Sequence, residues 1–376
     1  MHTVVFAPDS FKGSIGAAEA AAALAAGWVS VRTDDHAVLR PMADGGEGTV
    51  DAFAAAIDGA ERMPVRVTGP DGSSTDAAWL RLPASDSHPG GTGVVELAST
   101  SGIELLAERR IGEEAHTLGF GQAIAAALDA GVSRLVLGIG SSASTDGGVG
   151  MLTALGARFF RASGEPIGLG ARGVAEVVSA DLSGLRPRPP GGVLVLSDVT
   201  NPLLGPRGAA AVFGPQKGLD AHGVARADAA LGRLAALLPA DPASPGTGAA
   251  GGTGFGLSAW GARLVAGSGE VGELVGLPRA LAEASAVGSA CVVTGEGAFD
   301  GQSAGGKVPS YVASVAAGAS DVPALLVAGR IAPDADTSSF TAAVSLTDLA
   351  GSGESAMRDA VFWLRTAGAQ LAHVID

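Results

Sequence analysis

With 376 residues, 47% of them hydrophobic and only 16% charged, the chain is too apolar to be disordered and long enough to divide into two domains. A formal net charge of −14 with no Lys/Arg cluster excludes a nucleic-acid partner, whose binding rests on neutralising phosphates. An anionic small molecule remains compatible, because it feels the local field and not the total.

The N-terminal MHTVVFAPDS enters a strand-like run without a basic region, so no signal peptide is read there and the cytoplasm is expected. No stretch reads as a membrane span, and a homo-oligomer is left open. Thr3–Ala7 reads as a strand ending in APDSFKGS (7–14), followed by a helix over Ala17–Ser30. Ala37–Arg40 leads into PMADGGEGT (41–49) and a helix over Gly48–Ile57. Arg62–Thr68 and Ala77–Leu82 flank PDGSS and predict an antiparallel hairpin, with Gly93–Leu97 as the next strand. A helix over Gly119–Ala130 precedes the strand Arg134–Gly138, the loop GIGSSASTDGG (138–148) and a helix over Gly148–Leu155. Gly192–Leu196 runs into SDVTNPL (197–203), and VFGPQKG (212–218) stands before a helix over Ala221–Leu238. Helices over Phe255–Ala266 and Pro278–Ala284 follow. The strand Ala290–Thr294 then opens TGEGAFDGQSAGGK (294–307), with a helix over Lys307–Ala317. Strands Ala324–Ala328 and Ala342–Ser345 and a helix over Glu354–Ala372 complete the chain.

Strands alternating with helices predict an α/β protein with mostly parallel sheets. The last third repeats strand, Gly loop and helix with the character of the first 60 residues. The expected organisation is therefore a discontinuous domain, 1–64 plus 285–376, and an inserted flavodoxin-like domain, 65–284, with the active site in the cleft between them. Apolar runs that end in Asp, Ser and Gly deliver polar groups to the carboxyl ends of strands, where open α/β sheets bind ligands. Six such loops imply a composite site for a small, charged, oxygen-rich ligand.

Gly138-Ile-Gly140-Ser-Ser-Ala143 has the GxGxxA spacing of a dinucleotide turn, but Arg158–Arg161 stand where the ribose-binding acid is needed. Gly301 to Lys307 has the GxxxxGK spacing of a phosphate loop, with Val308 in place of the Ser/Thr that would hold Mg²⁺. Asp44 and Glu47 lie between a strand and a helix, where Glu47 also suits the helix dipole. Asp198 and Asn201 follow a buried apolar run that Pro202 stops, a placement that favours ligand contact over capping. The six His show no metal-binding spacing, and the single Cys291 reads as core.

Taken in order, these motifs resemble the glycerate kinases of the bacterial type-1 family over the full length. SDVTNPL with FGPQKG, GAAGGTGFGL (248–257) and D-x-Q-S-x-x-G-K-x-P carry the likeness. The resemblance implies ATP- and Mg²⁺-dependent phosphorylation of D-glycerate on its 2-hydroxyl. Ser141, Ser144 and Thr145 depart from the family's GGSATNDGG, and His116-Thr117-Leu118 is a thinner hydroxyl stretch than usual, which puts substrate preference in question.

Phosphoryl transfer needs positioning and charge neutralisation. The expected glycerate pocket draws on Lys12, Ser10, Ser14, Asn201 and Ser142. Asp198 is the first choice for proton acceptor and Asp44 the second. Lys217 and Lys307 are expected to neutralise phosphate, beside Gly295, Gly297, Gly251 and Gly252. Asp44, Glu47, Glu296 and Asp300 are the Mg²⁺ candidates, since that ion takes oxygen ligands. Two other readings stay open: a non-catalytic organic-acid-binding protein, and an NAD-dependent oxidoreductase.

Overall fold

Each aliphatic run read as a strand is one in the computed structural model, which describes residues 2–301, 307–319 and 322–375. The strands in chain order are β1 (Thr3–Phe6), β2 (His36–Leu39), β3 (Glu61–Thr68), β4 (Ser74–Leu82), β5 (Thr92–Glu96), β6 (Arg134–Gly138) and β7 (Arg158–Phe160), then β8 (Ser179–Asp181), β9 (Val193–Leu196), β10 (Arg263–Val265), β11 (Ala290–Phe299), β12 (Ala324–Ile331) and β13 (Ala342–Ser345). The chain divides into one unit of residues 1–44, 51–58 and 266–376 and another of 45–50 and 59–265. Among the described residues no helix is long and apolar enough to cross a membrane.

The first unit is built on an all-parallel sheet of order β13-β12-β11-β1-β2. Val4 to Ala7, Cys291 to Val293 and Leu325 to Ala328 are buried without alternation, as strands covered on both faces must be. Helices Ala17–Val31 and Ala360–Leu371 pack against each other at glycines. A methyl group on Gly27 would stand 2.0 Å from Arg365 O, and one on Gly368 would stand 2.2 Å from Leu24 O. Only hydrogen side chains admit that approach. Trp28 from the first of these helices meets Phe6 edge to face at 6.2 Å and donates from Nε1 to Asp35 Oδ2 at 3.0 Å. Cys291 lies in this core, and burial pushes its thiol up to about 12, so it is a packing residue.

The second unit carries a sheet of order β10-β9-β6-β5-β4-β3, in which β5, β6, β9 and β10 are parallel and β3–β4 form the expected antiparallel hairpin. The hairpin turns through Gly69 and Ser73, with Gly69 N donating to Ser73 O at 2.7 Å. Its core gathers Phe120 and Ile124 of helix Leu118–Asp129, Leu135 and Leu137 of β6, Val195 of β9 and Phe255 of helix Ala249–Trp260.

Two expectations about organisation need correcting. The flavodoxin-like strand order, 2-1-3-4-5 counted within its own sheet, belongs to the discontinuous unit; the inserted unit orders its strands sequentially. The contact boundaries fall at 58/59 and 265/266, not at 64/65 and 284/285. Residues 61–64 are already in β3, and helix Leu277–Val287 packs on β1 and β11.

Candidate active site

In the sheet of the first unit the chain order reverses between β1 and β11, so the loops leaving these strands open a crevice at their carboxyl ends. Asp9 N donates to Gly295 O at 2.8 Å and Ser10 N donates to Asp9 Oδ1 at 2.7 Å, which fixes DSFKGS against the end of β11. A methyl group on Gly297 would come within 3.1 Å of Lys12 N, and one on Gly295 within 2.1 Å of Val327 O. These two glycines allow the close approach of backbones. Met42 N donates to Pro8 O at 2.9 Å and brings the segment ending in Asp44 beside the same loop.

The result is an acidic cluster. Burial, and then the charge of Asp44, hold the Asp9 carboxyl well above the ordinary range; Glu296 adds to this, while the Ser10 N–H and Lys12 oppose it. Glu296 is itself 8% exposed. Lys307 Nζ stands 3.7 Å from Asp300 Oδ1 and 4.0 Å from Glu296 Oε2. Lys307 also begins helix Val308–Gly318, with Pro309 in its first turn. Residues 302–306 of the phosphate-loop-like spacing lie outside the described residues. Among the described residues no three His, Cys, Asp or Glu stand close enough to hold a metal ion. Magnesium is normally held by one or two carboxylates together with substrate phosphates. Glu296 and Asp300, two carboxylates grouped around Lys307, suit a cation that arrives with a nucleotide. Of the other two metal candidates, Asp44 belongs to this unit and Glu47 to the other, and both are exposed.

In the second unit the loop after β6 is tied to neighbouring segments. Ile103 N donates to Ser141 O at 2.8 Å, Ala143 N to Ser101 O at 3.1 Å and Gly140 N to Gly45 O at 2.9 Å. Asp146 is fully buried and accepts from Thr117 N (2.9 Å), Thr117 Oγ1 (2.8 Å), Gly148 N (3.1 Å) and Gly150 N (3.2 Å). Lys217, 3% exposed, donates from Nζ to Ser142 Oγ at 2.7 Å and to Ser144 O at 2.6 Å. Burial lowers the Lys217 ammonium to about 7, with the charge of Asp146 partly holding it up. Burial likewise lowers the His116 imidazole, against the pull of Asp146. Ala250, Gly251 and Gly252 run through left-handed φ of 54°, 64° and 87°. A methyl group on Gly251 would stand 2.0 Å from Ser144 O, so the Gly-rich turn lies directly on the loop. Ser144 Oγ and Thr145 Oγ1 are buried with no hydrogen-bond partner among the described residues.

The sequence from residue 4 to 376 matches the model of the glycerate kinase family. The chain belongs to the glycerate kinase family. It is 42% identical to the glycerate 2-kinase of Escherichia coli K12, over 83% of this chain and 81% of the relative. It is 40% identical to a glycerate kinase of Halalkalibacterium halodurans, over 88% of this chain and 86% of the relative. A crystal structure from Salmonella typhimurium LT2, provisionally described as a glycerate kinase 2, superposes with a TM-score of 0.83 at 36% identity and covers 100% of this chain and 98% of that one. The chain is accordingly an enzyme, a kinase.

For a kinase of this family the sequence-predicted residues fall into two groups. Ser10, Lys12, Ser14, Asp44, Gly295, Gly297, Glu296, Asp300 and Lys307 belong to the first unit, and most of them share the β1–β11 crevice. Ser14 leans away from it, with Oγ 3.5 Å from Met357 O. Glu47, Ser142, Asp198, Asn201, Lys217, Gly251 and Gly252 belong to the second unit. Asp198 is exposed just beyond the fully buried β9. Asn201 directs Nδ2 to Arg207 O at 2.8 Å, a contact that holds its own turn. Lys217, read as a phosphate ligand, is a buried ammonium committed to the Ser142–Ser144 loop. The GxGxxA stretch is not a dinucleotide turn, since its helix begins only at Val149.

Asp9 and Asp146 were missed. The signal for Asp9 was present, since it is the acid directly after the first buried strand. Asp146 looks locally like an ordinary turn acid bonded to Gly148 N and Gly150 N, and Thr117, which supplies its other two bonds, lies 29 residues earlier.

Proposed function

We propose that the protein transfers the γ-phosphoryl group of ATP to D-glycerate, on the 2-hydroxyl, with a divalent cation. The observation that carries this reading is the crevice at the carboxyl ends of β1 and β11, where Asp9, Asp44, Glu296 and Asp300 face Lys12 and Lys307. Such a balance of carboxylates and lysines suits a nucleotide phosphate and its cation better than it suits a neutral ligand. Bound Mg²⁺ would supply charge neutralisation at the phosphates, with Glu296 and Asp300 as its holders on this chain.

Lys307 neutralises phosphate charge from the start of helix Val308–Gly318. Ser10 and Lys12 offer a hydroxyl and a cation to glycerate. Asp198 takes the proton of the attacking hydroxyl, and its place after a buried strand fixes its backbone. The similarity to a glycerate 2-kinase supports the 2-position.

Incubation with ATP, Mg²⁺ and D-glycerate, with products resolved by phosphorus NMR, tests the assignment. Formation of 2-phosphoglycerate and ADP only while the cation is present is the expected result. Undiminished turnover in excess chelator rejects the cation, and 3-phosphoglycerate as product rejects the regiochemistry.

A further inference from the structure

We propose that Ser142 is a committed hydrogen-bond donor to an oxyanion of a bound reactant, a carboxylate or phosphoryl oxygen, and that Lys217 is the positioning residue that sets this polarity. The proposal rests on the kinase reading above, since it takes the reactants to be D-glycerate and ATP.

The argument is one of hydrogen-bond direction. An ammonium has three donors and no acceptor, whereas a serine hydroxyl has one donor and two lone pairs. Lys217 Nζ lies 2.7 Å from Ser142 Oγ, so the lysine donates and the serine accepts. The hydrogen of Ser142 must then point to some other group, and its oxygen is polarised by a cation. Ser144 O, 2.6 Å from the same Nζ, can only accept and holds the ammonium in place. Ser142 keeps 7% exposure where Ser144 and Thr145 have 0% and 1%, so it is the hydroxyl of this loop that reaches the edge.

A second observation points to a polar occupant. Ser144 Oγ and Thr145 Oγ1 are buried with no partner among the described residues. The loop therefore carries more hydroxyl donors than the chain itself satisfies, and native interiors seldom leave such groups unmet. Its backbone is pinned at Ser141, Ala143 and Gly140, so Ser142 is presented on a rigid frame.

The arrangement has a consequence for pH. Asp146 faces Lys217 from the same loop. His116 faces Asp146 from the segment before helix Leu118–Asp129. Arg110 lies against Gly218, next to the lysine. Below about pH 7 Lys217 is charged and can only donate. Above that, the neutral amine gains a lone pair and can accept the Ser142 hydrogen. The Ser142 hydrogen is then no longer committed outward, and its oxygen loses the polarisation by a cation, so its bond to an oxyanion weakens. Affinity for that ligand should be full on the acid side and fall as pH rises.

The test is titration calorimetry of D-glycerate and of ATP, from pH 6 to 9, on wild type and Ser142→Ala. At pH 6.5 the substitution should weaken one of the two ligands by about tenfold or more, the worth of one hydrogen bond to a charged group. The ligand affected identifies the oxyanion as carboxylate or phosphate. Wild-type affinity for that ligand should fall between pH 6.5 and 8.5, and the Ser142→Ala difference should fall with it. The carboxylate of glycerate is ionised throughout this range, so a change on that arm comes from the protein. Equal affinities in the two proteins, or a pH step of the same size in Ser142→Ala, would overturn the proposal. Lys217→Met is a poorer probe, because it strands the buried Asp146 charge. Intact binding without phosphoryl transfer would sink the kinase reading and leave this one standing. Wild-type protein that binds neither ligand overturns both.

Discussion

The loop after β1 and the loop after β6 both leave buried parallel strands, yet they treat their polar groups in opposite ways. DSFKGS leaves Lys12 exposed and keeps Asp9 among like charges. The loop at 138–148 buries Asp146 under four hydrogen bonds and ties Lys217 to Ser142 and Ser144. One region gathers carboxylates and lysines at the ends of its strands, with Lys307 3.7 Å from Asp300 and 4.0 Å from Glu296. The other has already balanced its charge and offers a rigid surface. The same residue types therefore stand at the surface or among like charges in the first case and bond mainly to each other in the second. What separates the cases is burial and partners, not the motif.

The largest effect is expected at Asp198, which lies in the second unit and is exposed. Asp198→Asn keeps the shape and removes the charge. If it accepts the substrate proton, kcat should fall by at least about two orders of magnitude with the fold intact. A folded variant with near-normal kcat would promote Asp44. Next comes Lys307→Ala, which should raise the KM for ATP about tenfold and leave that for glycerate nearly unchanged. Unchanged kinetics would reduce Lys307 to a lysine at a helix start.

These expectations depend on how far the sequence reveals contacts. Parallel strands buried on both faces appear as unbroken aliphatic runs, so TVVF, VLVL and ALLVA were plain in advance. Strands β7, β8 and β10 have three residues each and leave no periodicity to read. The helix expected over Glu354–Ala372 breaks at Asp359, with φ −118° and ψ 40°, although its apolar pattern runs on. The helix expected from Phe255 to Ala266 begins just after the left-handed Ala250–Gly252 turn and stops at Trp260, because Gly261 adopts a left-handed φ of 87°. The site follows the same rule. Asp9, Asp44 and Glu296 meet only because the strand order reverses between β1 and β11, and no local window contains that reversal. Lys217 meets Ser142 across 75 residues, so its burial was invisible in FGPQKG.

A smaller effect should separate the two regions in stability. The Asp9 carboxyl is raised by burial and by Asp44, so its ionised form is less favourable folded than unfolded. An acid raised in this way destabilises the fold above its unfolded range, and the penalty disappears as pH falls below that range. Asp9→Asn should raise Tm by about 2 °C at pH 7.5 in chelator, with the gain vanishing toward pH 4. A drop in Tm at pH 7.5 would show that Asp9 is instead a satisfied structural anion.

The smallest effect on catalysis is expected at Asn201, where a turn contact and a substrate contact compete for one side chain. Its position in SDVTNPL suggests a glycerate contact, but Nδ2 donates to Arg207 O at 2.8 Å and its carbonyl accepts from Gly248 N at 2.9 Å. Both bonds hold the turn that carries Asp198, and Pro202 stiffens the same turn. Asn201→Ala removes only the side-chain bond, an ordinary one worth about 1 kcal/mol. It should therefore lower stability by about that amount and move the KM for glycerate by no more than about threefold. Asn201→Asp sharpens the test, because it loses the donor to Arg207 O and adds a negative charge. If the residue serves only the turn, both variants should resemble each other in kinetics and differ little in Tm. If it touches glycerate, the new charge would repel the substrate carboxylate and raise KM far more in Asn201→Asp than in Asn201→Ala. That outcome would return Asn201 to the substrate pocket, beside Asp198 in the turn after β9.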